Sequence, residues 1–278
     1  MRPIRSLWPL LCGVAVLAGC TDGGRAPTEV NRATLDAVDA SELSVQTTIK
    51  RKKDVQIVRA TGDITAGVAA YRELLGSLNP NQPGEQSGGR REINWDGVPA
   101  ALTNVDNFPG NFFNVNSPRG VLFTTSGTGF RNSDTGYVDV NPAYKDEFTT
   151  FSPRKLFVAV GSTITDVQFV VAGSSTPATV TGFGSVFADV GRAGSTTIEY
   201  FDVNGHRLLK VAAPRRSDEK GLSFVGAVFD SRIVARVRIT SGDTPIGANT
   251  FDHVKGAGPK SDIVAMDDFI YGEPRAIQ

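Results

Sequence analysis

Residues 195–211 read STTIEYFDVNGHRLLKV, and this stretch decides the fold. Asn204-Gly205 offers the two positive-φ positions of a type I′ turn, so the spacing predicts a hairpin of strands near 196–203 and 206–212. On either side lie GFGSVFADV (182–190), GLSFVGAVFD (221–230), RIVARVRITSG (232–242) and DIVAMDDFIYG (262–272). Each is short, rich in Val, Ile, Phe, Tyr and Thr, and bounded by Gly, Asp, Asn or Pro, as strands and their turns are.

Further upstream the same texture recurs in EINWD (92–96), GVLFTT (120–125), LFVAV (156–160) and VQFVV (167–171), while 128–149 reads as a long polar connection. Roughly ten strands without alternating helices predict an all-β fold, two antiparallel sheets in a jelly-roll-like β-sandwich. One helix stands apart at 63–76. Asp63 or Thr65 caps it, Ile64, Val68, Leu74 and Leu75 share a face, and Gly76 suits its stop. DVQIVRA (54–60) alternates as a short strand does, and SLNPNQPGEQSGG (77–89) is broken by Pro and Gly into loop.

The N-terminus carries a different signal. Arg2 and Arg5 precede an apolar core from Leu7 to Leu17, which closes on Leu17-Ala18-Gly19-Cys20. This resembles the lipobox of bacterial lipoproteins, which implies cleavage before Cys20 and lipidation of its thiol. Of the two cysteines, Cys12 leaves with the leader and Cys20 takes the lipid, so a mature domain without disulfides is expected. Thr21, rather than Asp, after the cysteine points by analogy to the outer membrane. The expected organisation is a leader at 1–19, a polar flexible tether at 20–44, a helix-and-loop extension at 45–88 and a β-sandwich at 89–274. Lys50-Arg51-Lys52-Lys53 reads as a solvated charge run before it reads as a membrane-surface patch.

Six runs occur together in order: GRREINWDGVPA (89–100), FPGNFFNVNSPRGVLF (108–123), FSPRKLFVAVGS (151–162), GFGSVFADV (182–190), GLSFVGAVFD (221–230) and DIVAMDDFIYGEP (262–274). They resemble an uncharacterised family of exported bacterial β-sandwich proteins, some with a C-terminal PEP-CTERM sorting tail. The resemblance implies a domain that works outside the cytoplasm, here anchored by a lipobox instead of a tail. The Asp-rich last strand is also similar to galactose-binding-like and carbohydrate-binding-module sandwiches. In those folds an acidic residue on a terminal strand often holds structural calcium, an analogy at fold level only.

Composition and motifs narrow the chemistry. Lys+Arg and Asp+Glu both number 29, so net charge gives no reason to expect nucleic acid. The two histidines, His206 and His253, sit in turn and loop sequence, and no G-x-S-x-G, H-E-x-x-H or P-loop is present. A catalytic triad and a zinc site are therefore not expected. Paired acids leave a glycoside hydrolase or lyase as a minor alternative: Glu92 and Asp96 share a strand face, whereas the adjacent Asp267 and Asp268 fall on opposite faces.

Calcium needs six to eight oxygens, and Asp262, Asp267, Asp268, Glu92 and Asp96 are its expected ligands if first and last strands are neighbours. The competing reading pairs Asp267 or Asp268 with loop backbone or with Arg90 or Arg91. Sugar recognition calls for aromatic faces and planar polar groups, offered by Phe112, Phe113, Asn114 and Asn116 in NFFNVNS and by Tyr137, Asp139 and Tyr144 in 128–149. Trp95 reads as core. The expectation is a lipid-anchored, non-catalytic envelope protein that binds an extracellular ligand such as a polysaccharide. Its rival is a structural or adhesive envelope protein held by protein contacts.

Overall fold

The computed structural model describes residues 46–216, 221–253 and 260–278. The leader, Cys20 and the tether lie outside the described residues. Among these residues the chain forms fifteen strands and two α-helices. The strands are β1 Gln46–Lys52, β2 Val55–Thr61, β3 Arg90–Ile93, β4 Val121–Thr124, β5 Gly129–Ser133, β6 Leu156–Val160, β7 Ile164–Phe169 and β8 Ala178–Thr179. They continue with β9 Gly182–Ala188, β10 Thr197–Phe201, β11 Arg207–Ala212, β12 Leu222–Phe229, β13 Arg236–Thr240, β14 Ala265–Gly272 and β15 Arg275–Ala276. Helix α1 spans Thr65–Leu75 and the single-turn α2 Phe112–Val115.

Two antiparallel sheets carry the fold, an all-β sandwich as the strand pattern predicts. One runs β1-β2-β12-β9-β14-β6-β5, with β3 also paired to β14, and the other runs β11-β10-β13-β7-β4. The core between them is built by Phe157, Phe183, Phe187, Phe269 and Tyr271 from the first sheet and Phe123, Phe169, Ile198, Tyr200 and Val237 from the second. The outer face of the first sheet is also covered. Val68, Tyr71 and Leu75 of α1 pack on Val58, Val186, Phe224 and Ile270, and Tyr137 and Tyr144 of the long connection pack on Leu156, Val158 and Ala265. Burial on both faces explains why β9 and β14 are buried at every position and read as continuous apolar runs rather than alternating ones.

Three expectations change. Strands β1 and β2 belong to the first sheet, so 45–88 is part of the sandwich and not an extension to it. Strand β5 lies inside the segment read as connection. The 202–206 turn is not type I′: Gly205 has φ +79° and Asn204 is not left-handed. The Asp202 carboxylate accepts from the Asn204 and His206 N–H groups, and Gly205 N–H donates to Asp202 O. This side-chain turn sets a wider loop than Asn-Gly alone dictates.

Candidate functional site

The last strand organises the acidic residues. Between Met266 and Phe269 β14 bulges, and an extra residue in a strand re-aims the side chains on either side of it. As a result Asp267 and Asp268, expected on opposite faces, come close enough for each carboxyl to act electrostatically on the other. Asp267 also accepts from Phe151 N–H at 2.6 Å and Ser152 Oγ at 3.0 Å. Burial, then the Asp268 charge, pushes the Asp267 carboxyl up to about 8. Burial raises Asp268 to about 6, with Ser152, Asp267 and Arg72 pulling the other way.

Strands β3 and β14, the first and last of the strands read in the 89–274 span, are neighbours: Glu92 of β3 lies opposite Ile270 of β14. The space between the acids, however, holds a cation already. Arg72 of α1 donates to both Glu92 oxygens at 2.9 and 2.8 Å and reaches Asp268 Oδ2 at 3.4 Å, while Arg90 Nε donates to Glu92 at 2.6 Å. The buried Arg91 instead forks onto Glu273 at 2.6 and 2.7 Å. Asp262 accepts from Gly191 N–H and Ser195 Oγ, a set of partners it shares with none of the others. Asp96 sits beside Lys155 and Arg154, its carboxyl raised by burial. The expected five-acid calcium set is therefore not gathered at one point, because its members face separate partners: Arg72 and Arg90 at Glu92, and Gly191 and Ser195 at Asp262.

The aromatic residues divide. Phe112, Phe113 and Asn114 are buried by the α2 turn, and Asn114 ties down the next loop through Ser174 O and Gly173 N–H, each at 2.8 Å. Tyr137 and Tyr144 are also buried. The Tyr144 hydroxyl holds the 247–250 segment through Gly247 O and Thr250 O, and Asp139 is paired with Arg131 and Thr135. Tyr137, Tyr144 and Asp139 thus close one flank of the sandwich and present no aromatic face to a ligand.

Phe112, Phe113 and Asn116 nevertheless line a cleft of about 390 Å³ with Asn94, Trp95, Gly97, Pro99, Ser117 and Arg119. Its floor is fixed by Trp95, which stacks on Phe157 at 3.9 Å, meets Phe113 edge-on at 5.4 Å and donates from Nε1 to Asp267 O at 2.9 Å. Trp95 is core, as its sequence context suggests. The Arg119 guanidinium lies 5.0 Å over the Phe113 ring and donates to Glu92 O and Ser117 Oγ. The exposed rim is supplied by Asn94, Gly97, Pro99 and Asn116.

A second acidic cluster was not singled out in the sequence. One carboxylate oxygen each from Glu147, Asp189 and Asp252 lies within 4.8 Å of the others. The three come from segments far apart in the chain, and no spacing rule links them.

The chain matches no family model and no curated protein. Among solved structures it is similar to the enzymatically active domain of bacteriophage CBA120 tailspike protein 4, at 14% identity and a TM-score of 0.18, over 51% of this chain and 21% of that one. A likeness this slight carries no argument. Among the described residues no helix is long and apolar enough to cross a membrane.

Proposed function

We propose that this protein is a non-catalytic carbohydrate-binding β-sandwich of the bacterial cell envelope, anchored by a lipid on Cys20. The observation that carries the reading is the cleft between residues 94–99 and 112–119. It has a rigid aromatic floor and a rim of amide, hydroxyl and guanidinium groups. Planar hydrogen-bonding groups around an apolar floor suit a pyranose ring, which has polar edges and an apolar face. Its lining carries no carboxylate, which is why binding is preferred here to glycosidic hydrolysis, a reaction that takes two opposed acids. The lipobox supports the anchor, and the resemblance to exported sandwich proteins supports an extracytoplasmic setting.

The test is retention of the full chain on immobilised bacterial and plant polysaccharides. Saturable retention on at least one polymer is expected, and no retention on any of them moves the reading to a structural or adhesive envelope protein.

A further inference from the structure

We propose that Glu147, Asp189 and Asp252 form a divalent-cation site, and that its ion is Ca²⁺. Three separate segments supply the ligands. Asp189 directly follows β9 with a left-handed backbone, φ +66°. Glu147 follows the turn that Tyr144 anchors, where its N–H donates to Tyr144 O. Asp252 precedes His253, which exchanges backbone hydrogen bonds with Ser261.

Clustered acids alone do not make a site. What marks this one is a carboxylate, Asp252, that has both oxygens closed off and unpartnered beside the buried Asp189. Asp189 is only 4% exposed, yet among the described residues no N–H or hydroxyl donates to its carboxylate, and its polar neighbours are the carboxyls of Asp252 and Glu147. Both Asp252 oxygens are shut off from solvent and make no hydrogen bond of ordinary geometry. Among the described residues no Lys or Arg forms an ion pair with any of the three. Arg72 and Ser152 meet the Asp267–Asp268 pair, and Ser195 and Gly191 meet Asp262.

The chemistry selects the ion. The ligands are all oxygen, with no His or Cys in the cluster, which disfavours zinc. Ca²⁺ binds oxygens at about 2.3–2.6 Å, so oxygens on opposite sides of one ion lie about 5 Å apart. The oxygens of these carboxylates, all within 4.8 Å of one another, are near enough for one such ion to reach all three with a small closing movement. Backbone carbonyls and water would complete the six to eight ligands that Ca²⁺ takes. The ion would cross-link β9, the 137–148 connection and the stretch before β14.

The test is calorimetric titration of the full chain, first stripped with EDTA, with CaCl₂ and separately with MgCl₂. One Ca²⁺ per chain is expected, in the range below about 1 mM typical of extracellular sites, with a rise in Tm. Asp189→Asn and Glu147→Gln should each weaken uptake at least ~10-fold, on the grounds that a carboxylate ligand is lost. Asp267→Asn, outside the site, should bind as the parent does. Because Asp189→Asn is nearly isosteric and takes away no donor that any other group uses, its metal-free fold should survive, as checked by circular dichroism. Absence of saturable uptake, uptake undiminished in both site variants, or equal affinity for Mg²⁺ overturns the assignment. None of these readouts depends on a polysaccharide.

Discussion

At Asp267 and Asp268, strand alternation makes its clearest error. Period-two reasoning separates adjacent side chains, and one bulge in β14 brings their carboxyls under each other's influence. A bulge leaves no mark in DIVAMDDFIYG, so the pairing was not legible, and the adjacency of Glu92 to β14 entered the sequence reading only as a condition. The pair has a consequence for pH. With a folded-state pKa of about 8 against an ordinary 3.8, native Asp267 keeps a proton that the unfolded chain has lost. Its contribution is therefore complete below pH 3.8 and fades as pH rises through about 8, with a slope of at most about 1.4 kcal/mol per pH unit. Asp267→Asn keeps an acceptor for Phe151 N–H without the titration. Urea unfolding between pH 5 and pH 9 should show the variant gaining on the parent as pH rises. A constant difference across that range would contradict the raised Asp267 carboxyl.

Elements were legible in proportion to how one-sided their burial is. Helix α1 was found from its apolar face, and β9, β12 and β14 from unbroken apolar runs. Strands β1 and β5 were not found. QTTIKRK is exposed along its whole length and so has no apolar period, while GFRNS buries Arg131, Asn132 and Ser133, with Arg131 neutralised by Asp106 and Asp139. What α1 rests on was equally hidden. Tyr71 lies flat over two glycines, one on β9 and one on β12, and its hydroxyl donates to Ala227 O at 3.1 Å. A Cβ at Gly226 would stand 2.6 Å from the Tyr71 ring, and one at Gly184 2.9 Å from it. Gly226→Ala should lift the helix and destabilise the protein by about 1–3 kcal/mol, the usual range for overpacking. Thermal or urea unfolding reads this out, and an unchanged midpoint would mean that α1 does not depend on that contact.

For the whole molecule, the sandwich was legible because many strands with turn residues between them admit few architectures. The candidate site was legible in part. NFFNVNS and Trp95 do meet at one cleft, but Phe112, Phe113 and Trp95 enter it as a packed floor, since large aromatic side chains are worth most when buried. Residues 137–144 turned inward for the same reason. Glu147, Asp189 and Asp252 converge only through tertiary structure, so no local pattern announces them. The proposed anchor is tested by labelled fatty-acid incorporation, which Cys20→Ser should abolish. Incorporation that persists in that variant would remove the lipoprotein reading.

The central claim is that the 94–99/112–119 cleft holds a glycan. Its most direct test compares polysaccharide retention of the parent chain with that of Asn116→Ala and Gly97→Trp. Asn116 is an exposed rim amide, and Gly97 has open space where a Cβ would sit, so both variants should fold. Saturable retention by the parent, weakened in Asn116→Ala and lost in Gly97→Trp, is the predicted result. Retention equal in all three proteins, or absent from the parent on every polymer, would contradict it.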